Sequence, residues 1–346
     1  MSALRPGMPR IIILVFLLLM IIVAARAGIP ASGLVNDSLV RLFMNGVLVL
    51  SLLPMLRVGA GINYGLPVGI LAGLLGMAVT VNLGVASLPG FLLSLLLAGF
   101  FGVALGLPYA RVLNLVKGRE EIAGLFIGFA SVYAMCFFWA VAPFQNPEML
   151  WPIGGHGLRP TIGLTTTFGR SLNHLGQLHL GDLVLPLGGL AFFLLLCGLL
   201  HFFFYSKTGL AITAVGENPS FARINGLQVD RVRSQAIVLS TVIAALGICV
   251  YAQSYGFLEL YEAPLMMAFP AASAILLGGG GGYHSGVGAA IIGTFLFQSV
   301  YVVSGPVANC LLVPELSEIV RVILTSGIIL YALVFMEERG SGDEEN

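Results

Sequence analysis

Five consecutive glycines at positions 278–282 are the obvious place in this sequence to look for phosphate chemistry. A phosphate-cradling loop needs a lysine and then a serine or threonine directly after its last glycine, to reach the outer phosphates and hold magnesium. Tyr283 and His284 stand there instead, so the run is expected to form a tight turn where glycine takes up positive φ and two helices approach closely. The five histidines, at 156, 174, 179, 201 and 284, show no H-E-x-x-H or other helix-face spacing. Cys136, Cys197, Cys249 and Cys310 stand singly in or beside apolar sequence and read as small packing residues. Neither a metal centre nor a Ser/His/Asp set is built from such a pattern. The chain is read as carrying no catalytic site, no metal and no cofactor of its own.

A second kind of chemistry needs only hydrogen bonds. Asn45, Asn63, Asn82 and Gln298 interrupt or end long apolar stretches, where a polar group is costly unless it has a partner. Asn45, Asn63, the adjacent Tyr64 and Gln298 are candidates for a translocation pathway that bonds a hydroxylated solute; bonds between helices account for them equally well. Gly61, Gly65, Gly69 and Gly73 recur every four residues, with Pro67 among them. The spacing predicts one small-residue helix face, serving close packing or, if Pro67 loosens the helix, offering carbonyls to a solute. Glu318 and Arg321 are spaced for an ion pair on one helix.

The elements that must hold these residues follow from composition. Of 346 residues, 58% are hydrophobic and 9% charged, with 16 basic and 16 acidic side chains. That excludes a soluble globular protein and leaves no basic patch for nucleic acid. Apolar stretches centre on 11–25, 42–56, 60–83, 88–107, 122–142, 183–204, 236–252, 263–278, 286–304 and 319–336. A span takes about 20 apolar residues, so the expectation is an all-α, polytopic membrane protein with about ten transmembrane helices in a single domain, 1–346. Some of these stretches, the second and eighth especially, are short enough to be tilted or re-entrant. The first is also compatible with a cleaved signal peptide, since Ala25-Arg26-Ala27 closes it.

Basic residues in short loops resist translocation. With both termini in the cytoplasm, eleven of the 16 fall inside, which sets the expected orientation. Two loops then stand out: an outer one at 143–182, and an inner one at 205–235. In the inner loop, Glu217 is followed by Asn218, a favoured N-cap, and by Pro219, pre-organised for the first helical position. Asn225-Gly226 supplies a left-handed stop. A helix of about two turns fits between, with Phe221 and Ile224 on one apolar face and Arg223 pointing elsewhere. So short a helix must be held by packing or by a partner.

The stretch YSKTGLAITAVGENPSFARINGLQVDRVR, 205–233, resembles the cytoplasmic coupling loop of bacterial ABC-type permeases of the branched-chain amino acid, simple sugar and nucleoside importer family. Ser206, Gly209, Ile212, Ala214, Val215, Gly216, Asn218, Ala222, Gly226 and Leu227 match its pattern, and Phe221 departs from the usual small residue. The segment AASAILLGGGGGYHSGVGAAIIGTFLF, 271–297, is similar to the late glycine-rich region of the sugar-type permeases, and GAGINYGLPVG, 59–69, to an early polar segment. The resemblance implies a permease subunit in the bacterial inner membrane that docks Glu217, Asn218, Pro219, Phe221, Ala222, Arg223, Ile224 and Gly226 against an ATP-binding subunit. ATP and magnesium would sit on that subunit. A second permease, identical or not, and an extracytoplasmic substrate-binding protein would complete the assembly, with lipid around it. The coupling loop leans toward nucleosides and the glycine-rich region toward sugars. The rival reading is an ion-coupled carrier or channel, against which the scarcity of carboxylates in the spans argues.

Overall fold

The computed structural model describes residues 8–151, 155, 157–311 and the positions 319, 322, 323, 326, 327 and 330. Its N-terminal part runs α1 (Met8–Arg26), α2 (Ala31–Leu50), a one-turn α3 (Leu53–Arg57), α4 (Leu66–Asn82), α5 (Ser87–Leu115) and α6 (Glu120–Val141). A loop follows with β1 (Thr161–Gly163), α7 (Ser171–His174), β2 (Gln177–Leu180) and β3 (Leu183–Pro186). The remainder is α8 (Leu187–Phe204), α9 (Lys207–Glu217), α10 (Pro219–Ile224), α11 (Val229–Tyr255), β4 (Phe257–Glu259), a 3-10 turn at Ala263–Met266, α12 (Ala268–Leu277) and α13 (Val287–Leu311).

Six spans are long and apolar enough to cross a bilayer among the described residues: Ala31–Arg57, α5, α6, α8, α11 and Val287–Cys310. The expected ten therefore do not all appear at full length. The first stretch is α1, 19 residues; the third and eighth are the shorter helices Leu66–Asn82 and Ala263–Leu277. The tenth, with Glu318 and Arg321, lies outside the described residues apart from scattered helical positions. The third stretch loses length because 58–65 is not helical: Gly59 and Gly61 have φ of +74° and +73°. Pro67, in the first turn of α4, starts that helix and does not break it. Gly61 and Gly65 thus precede the helix, and the expected four-glycine face is reduced.

What remains of that face does pack. A Cβ on Gly69 would stand 2.6 Å from Ala244 Cβ, and one on Gly73 would stand 2.2 Å from Ile248 Cγ2, both on α11. Small residues allow this approach where no hydrophobic drive separates helix from lipid. Helix α4 is buried along nearly its whole length, and α11 packs on α2, α4 and α5. A second layer of α12 and α13 lies on α2, with α1 packed on α13. The outward sides of α5, α6 and α8 expose Leu96, Phe100, Phe126, Phe137, Leu194 and Phe202, as surfaces bathed in hydrocarbon do.

The all-α expectation needs one correction. Strands β1 and β4 pair antiparallel, Ile162 opposite Leu258, and β2 and β3 form a hairpin. Each has three or four residues, too few for alternation to show in a chain dominated by apolar runs. The ribbons lie at one end of the bundle. There Asn82 Oδ1 accepts from the backbone nitrogens of Gln145 and Asn146 at 2.9 and 3.2 Å, so this asparagine closes a loop. The expected outer loop, 143–182, is this ribbon region; Pro152, Ile153, Gly154 and His156 lie outside the described residues.

Candidate functional site

The end opposite the ribbons carries the punctuated segment. Helix α10 begins where Asn218 Oδ1 accepts from Phe221 N at 2.9 Å. It ends with Gly226 at φ +85°, Leu227 N donating to Ala222 O and Gly226 N to Arg223 O, each at 3.0 Å. Those two bonds satisfy carbonyls that the last turn would leave orphaned. Ala222 is buried against the body, while Phe221 and Ile224 are 62% and 84% exposed. Glu217, Pro219, Arg223 and Gly226 are exposed as well. A six-residue helix pinned by both caps and one alanine therefore presents two large apolar side chains outward.

Helix α9 was not anticipated within this loop. Ser206 Oγ caps it, accepting from Gly209 N at 3.3 Å, and Ile212 and Val215 bury its inner face. The Ser206 to Gly209 spacing and that apolar pair were signals available in the sequence. Below, Arg233 Nη2 donates to Glu120 Oε1 in an ion pair 7% exposed on each side. Arg233 Nε reaches Asn114 Oδ1 at 3.3 Å.

A cavity of about 230 Å³ opens between α2, α12 and α13, with the 3-10 turn at its edge. Asn45 and Gln298 both line it, with Arg41, Tyr251, Tyr301 and an apolar floor of Leu48, Val49 and Phe297. Gln298 is 5% exposed and has no hydrogen-bond partner among the described residues. Asn45 uses Nδ2 to reach Arg41 O at 3.1 Å, which leaves its carbonyl oxygen available. The Arg41 guanidinium lies 4.6 Å from the centre of the Tyr301 ring, a cation–π contact. Two amides, one cation and two phenols on apolar walls suit a small polar solute, and the buried Gln298 amide in particular calls for a partner in water or ligand.

Asn63 and Tyr64 are not brought to this cavity. Asn63 is 1% exposed; its Nδ2 donates to Ser240 Oγ at 2.9 Å and its Oδ1 accepts from the Tyr109 hydroxyl at 2.7 Å. It ties the non-helical segment before α4 to α5 and α11. One residue earlier, Ile62 N donates to Glu121 Oε1 at 2.7 Å. Tyr64 packs on Phe269 of α12, ring centres 5.7 Å apart. Of the cavity residues not anticipated from sequence, Arg41 and Tyr301 had a partial signal, since Arg41 precedes Asn45 by four residues and Tyr301 follows Gln298 by three, so each pair shares a helix face; Tyr251, on α11, had none.

Among the described residues no group of three or more His, Cys, Asp or Glu is placed to hold a metal ion. A family model described as the permease component of branched-chain amino acid transport systems matches residues 34–329. No curated protein matches the chain.

Proposed function

The chain belongs to this family of branched-chain amino acid transport permeases, and from that premise we propose that it is the translocating subunit of an ATP-driven importer. It is a multi-pass membrane permease. In the proposed assembly the α9–α10 end faces the cytoplasm, where the excess of basic residues would be retained. Phe221 and Ile224 enter an apolar groove on a separate ATP-binding subunit, which holds ATP and magnesium. A second permease copy, identical or related, stands beside the first in the inner membrane, and a substrate-binding protein delivers the solute at the ribbon end. The solute is a simple sugar or nucleoside received by Asn45 and Gln298.

The single observation that carries this reading is the capped α10 with its exposed apolar pair. Leaving Phe221 and Ile224 in water would forfeit roughly 1.5–3 kcal/mol for each side chain, and a helix of this length has no stability of its own to justify the arrangement. Helix-in-groove docking accounts for it.

The test is affinity purification from mild detergent followed by mass spectrometry. The wild-type chain is expected to retain a P-loop ATPase in stoichiometric amount, and Phe221→Glu with Ile224→Glu to lose it at unchanged thermal stability. Retention of the ATPase by the double variant would remove the docking role from α10, whereas a wild-type chain purifying without any ATPase would favour a carrier.

A further inference from the structure

Between the docking end and the cavity, Arg57, the last residue of α3, meets both α9 and the glycine-rich turn, which otherwise approach each other at Glu217 and His284, 3.8 Å apart and open to water. Its backbone carbonyl lies under the end of α9: a Cβ on Gly216 would be 1.9 Å from Arg57 O. Its guanidinium lies 3.8 Å from the centre of the Phe204 ring at the end of α8. Its Nε donates to the carbonyl of Ser285 at 2.8 Å. Ser285 belongs to the glycine-rich turn, where its hydroxyl bonds Gly282 O at 2.5 Å. The Arg57 side chain thus joins the end of α8 to the glycine-rich turn, while its backbone carbonyl backs α9.

The glycine-rich turn joins the two helices that line one side of the cavity. The backbones of those helices interlock: a Cβ on Gly278 would meet Ala289 O at 1.8 Å, and one on Gly293 would meet Ala274 O at 1.8 Å. Contacts this close leave no room for α12 to slide on α13, so a displacement at the turn is carried to Pro270, Ala271 and Gln298 at the cavity. The backbone preceding Arg57 leads through α3 to Leu48 and Asn45 on the cavity's other side.

We infer that Arg57 is the positioning residue through which movement of α9 and α10 is transmitted to the cavity, its carbonyl bearing on Gly216 and its guanidinium holding the Ser285 turn. It does not line the cavity. The inference rests on the proposed docking of α10 to an ATPase, and the experiment separates the two. In a background with the four native cysteines replaced by alanine, Gln298→Cys reports cavity access through its rate of reaction with a membrane-impermeant maleimide. The rate is measured on the purified complex, with and without trapping by ATP and vanadate.

Trapping is expected to change the labelling rate by about fivefold or more when Arg57 is present, as a shift between two cavity states requires. With Arg57→Met added, the ATPase should still co-purify and still trap nucleotide, while the labelling rate no longer responds. Arg57→Lys keeps a cation able to donate to Ser285 O and should restore about half of the response. An undiminished response in Arg57→Met would overturn the inference, and so would loss of the ATPase from that variant, which would assign Arg57 to the fold of the docking end. No response even with Arg57 present would be a failure of the functional reading itself.

Discussion

At the scale of single residues, three amides found in similar apolar settings have different surroundings. Asn63 has both ends of its side chain bonded to Tyr109 and Ser240, Asn45 has one end bonded to its own helix, and Gln298 has neither bonded while facing the cavity. Removing a partner from a buried polar group costs about 1–3 kcal/mol. Asn63→Leu, which strips the Tyr109 hydroxyl of its acceptor, should therefore lower stability by that amount in a thermal melt of the detergent-solubilised protein. Gln298→Leu should melt at the wild-type temperature or slightly above, since no protein bond is lost. Equal destabilisation of the two variants would contradict the assignment. That these amides carry a burden was legible in the sequence, because an amide in hydrocarbon must be paid for by a partner. Which partner was not: Ser240 lies 177 positions from Asn63, and no local pattern encodes so distant a contact.

The elements divide in the same way. The caps of α10 could be read directly, since Asn218, Pro219 and Gly226 each act within a few residues of their place in the chain. The start of α4 at Leu66 was less legible: glycines with positive φ and a proline in the first helical turn look, as letters, like a helix with small residues. The Arg233–Glu120 pair is an element-scale joint, binding α11 to the first turn of α6 beside Asn114 of α5. Deleting one member of a buried pair leaves an uncompensated charge, at about 3–5 kcal/mol, whereas replacing both with apolar residues is often neutral. Arg233→Met should therefore be markedly less stable in chemical denaturation than Arg233→Met combined with Glu120→Met. A double variant as unstable as the single one would mean that the pair contributes through attraction and not merely through mutual compensation.

For the whole molecule, hydropathy located the helices but not their lengths, because 58–65 and 263–266 are apolar without being α-helical. The family is supported by the match over 34–329. The α10 end and the cavity lie at different depths along one bundle, which makes orientation measurable. Single cysteines introduced at Gly181, in the β2–β3 turn, and at Gly226, after α10, both occupy exposed positions with positive φ. In intact cells an impermeant thiol reagent should label Gly181→Cys and spare Gly226→Cys until the membrane is opened. The reverse pattern would invert the proposed sidedness, and labelling of both from outside would refute the placement of the two ends across a bilayer.

The Asn63 tie also has a consequence for how the protein is made. At ~5–20 residues per second, the ribosome reaches Ser240 on the order of ten to thirty seconds after Asn63 has been synthesised. Within that interval the segment before α4 gains Tyr109, 46 residues on, but not α11, so one end of the amide and the glycines that α11 will cover still await their partners. A nascent chain interrupted before α11 exposes a polar, loosely packed surface inside the membrane, the kind of surface on which a protease can distinguish an unfinished permease from a finished one.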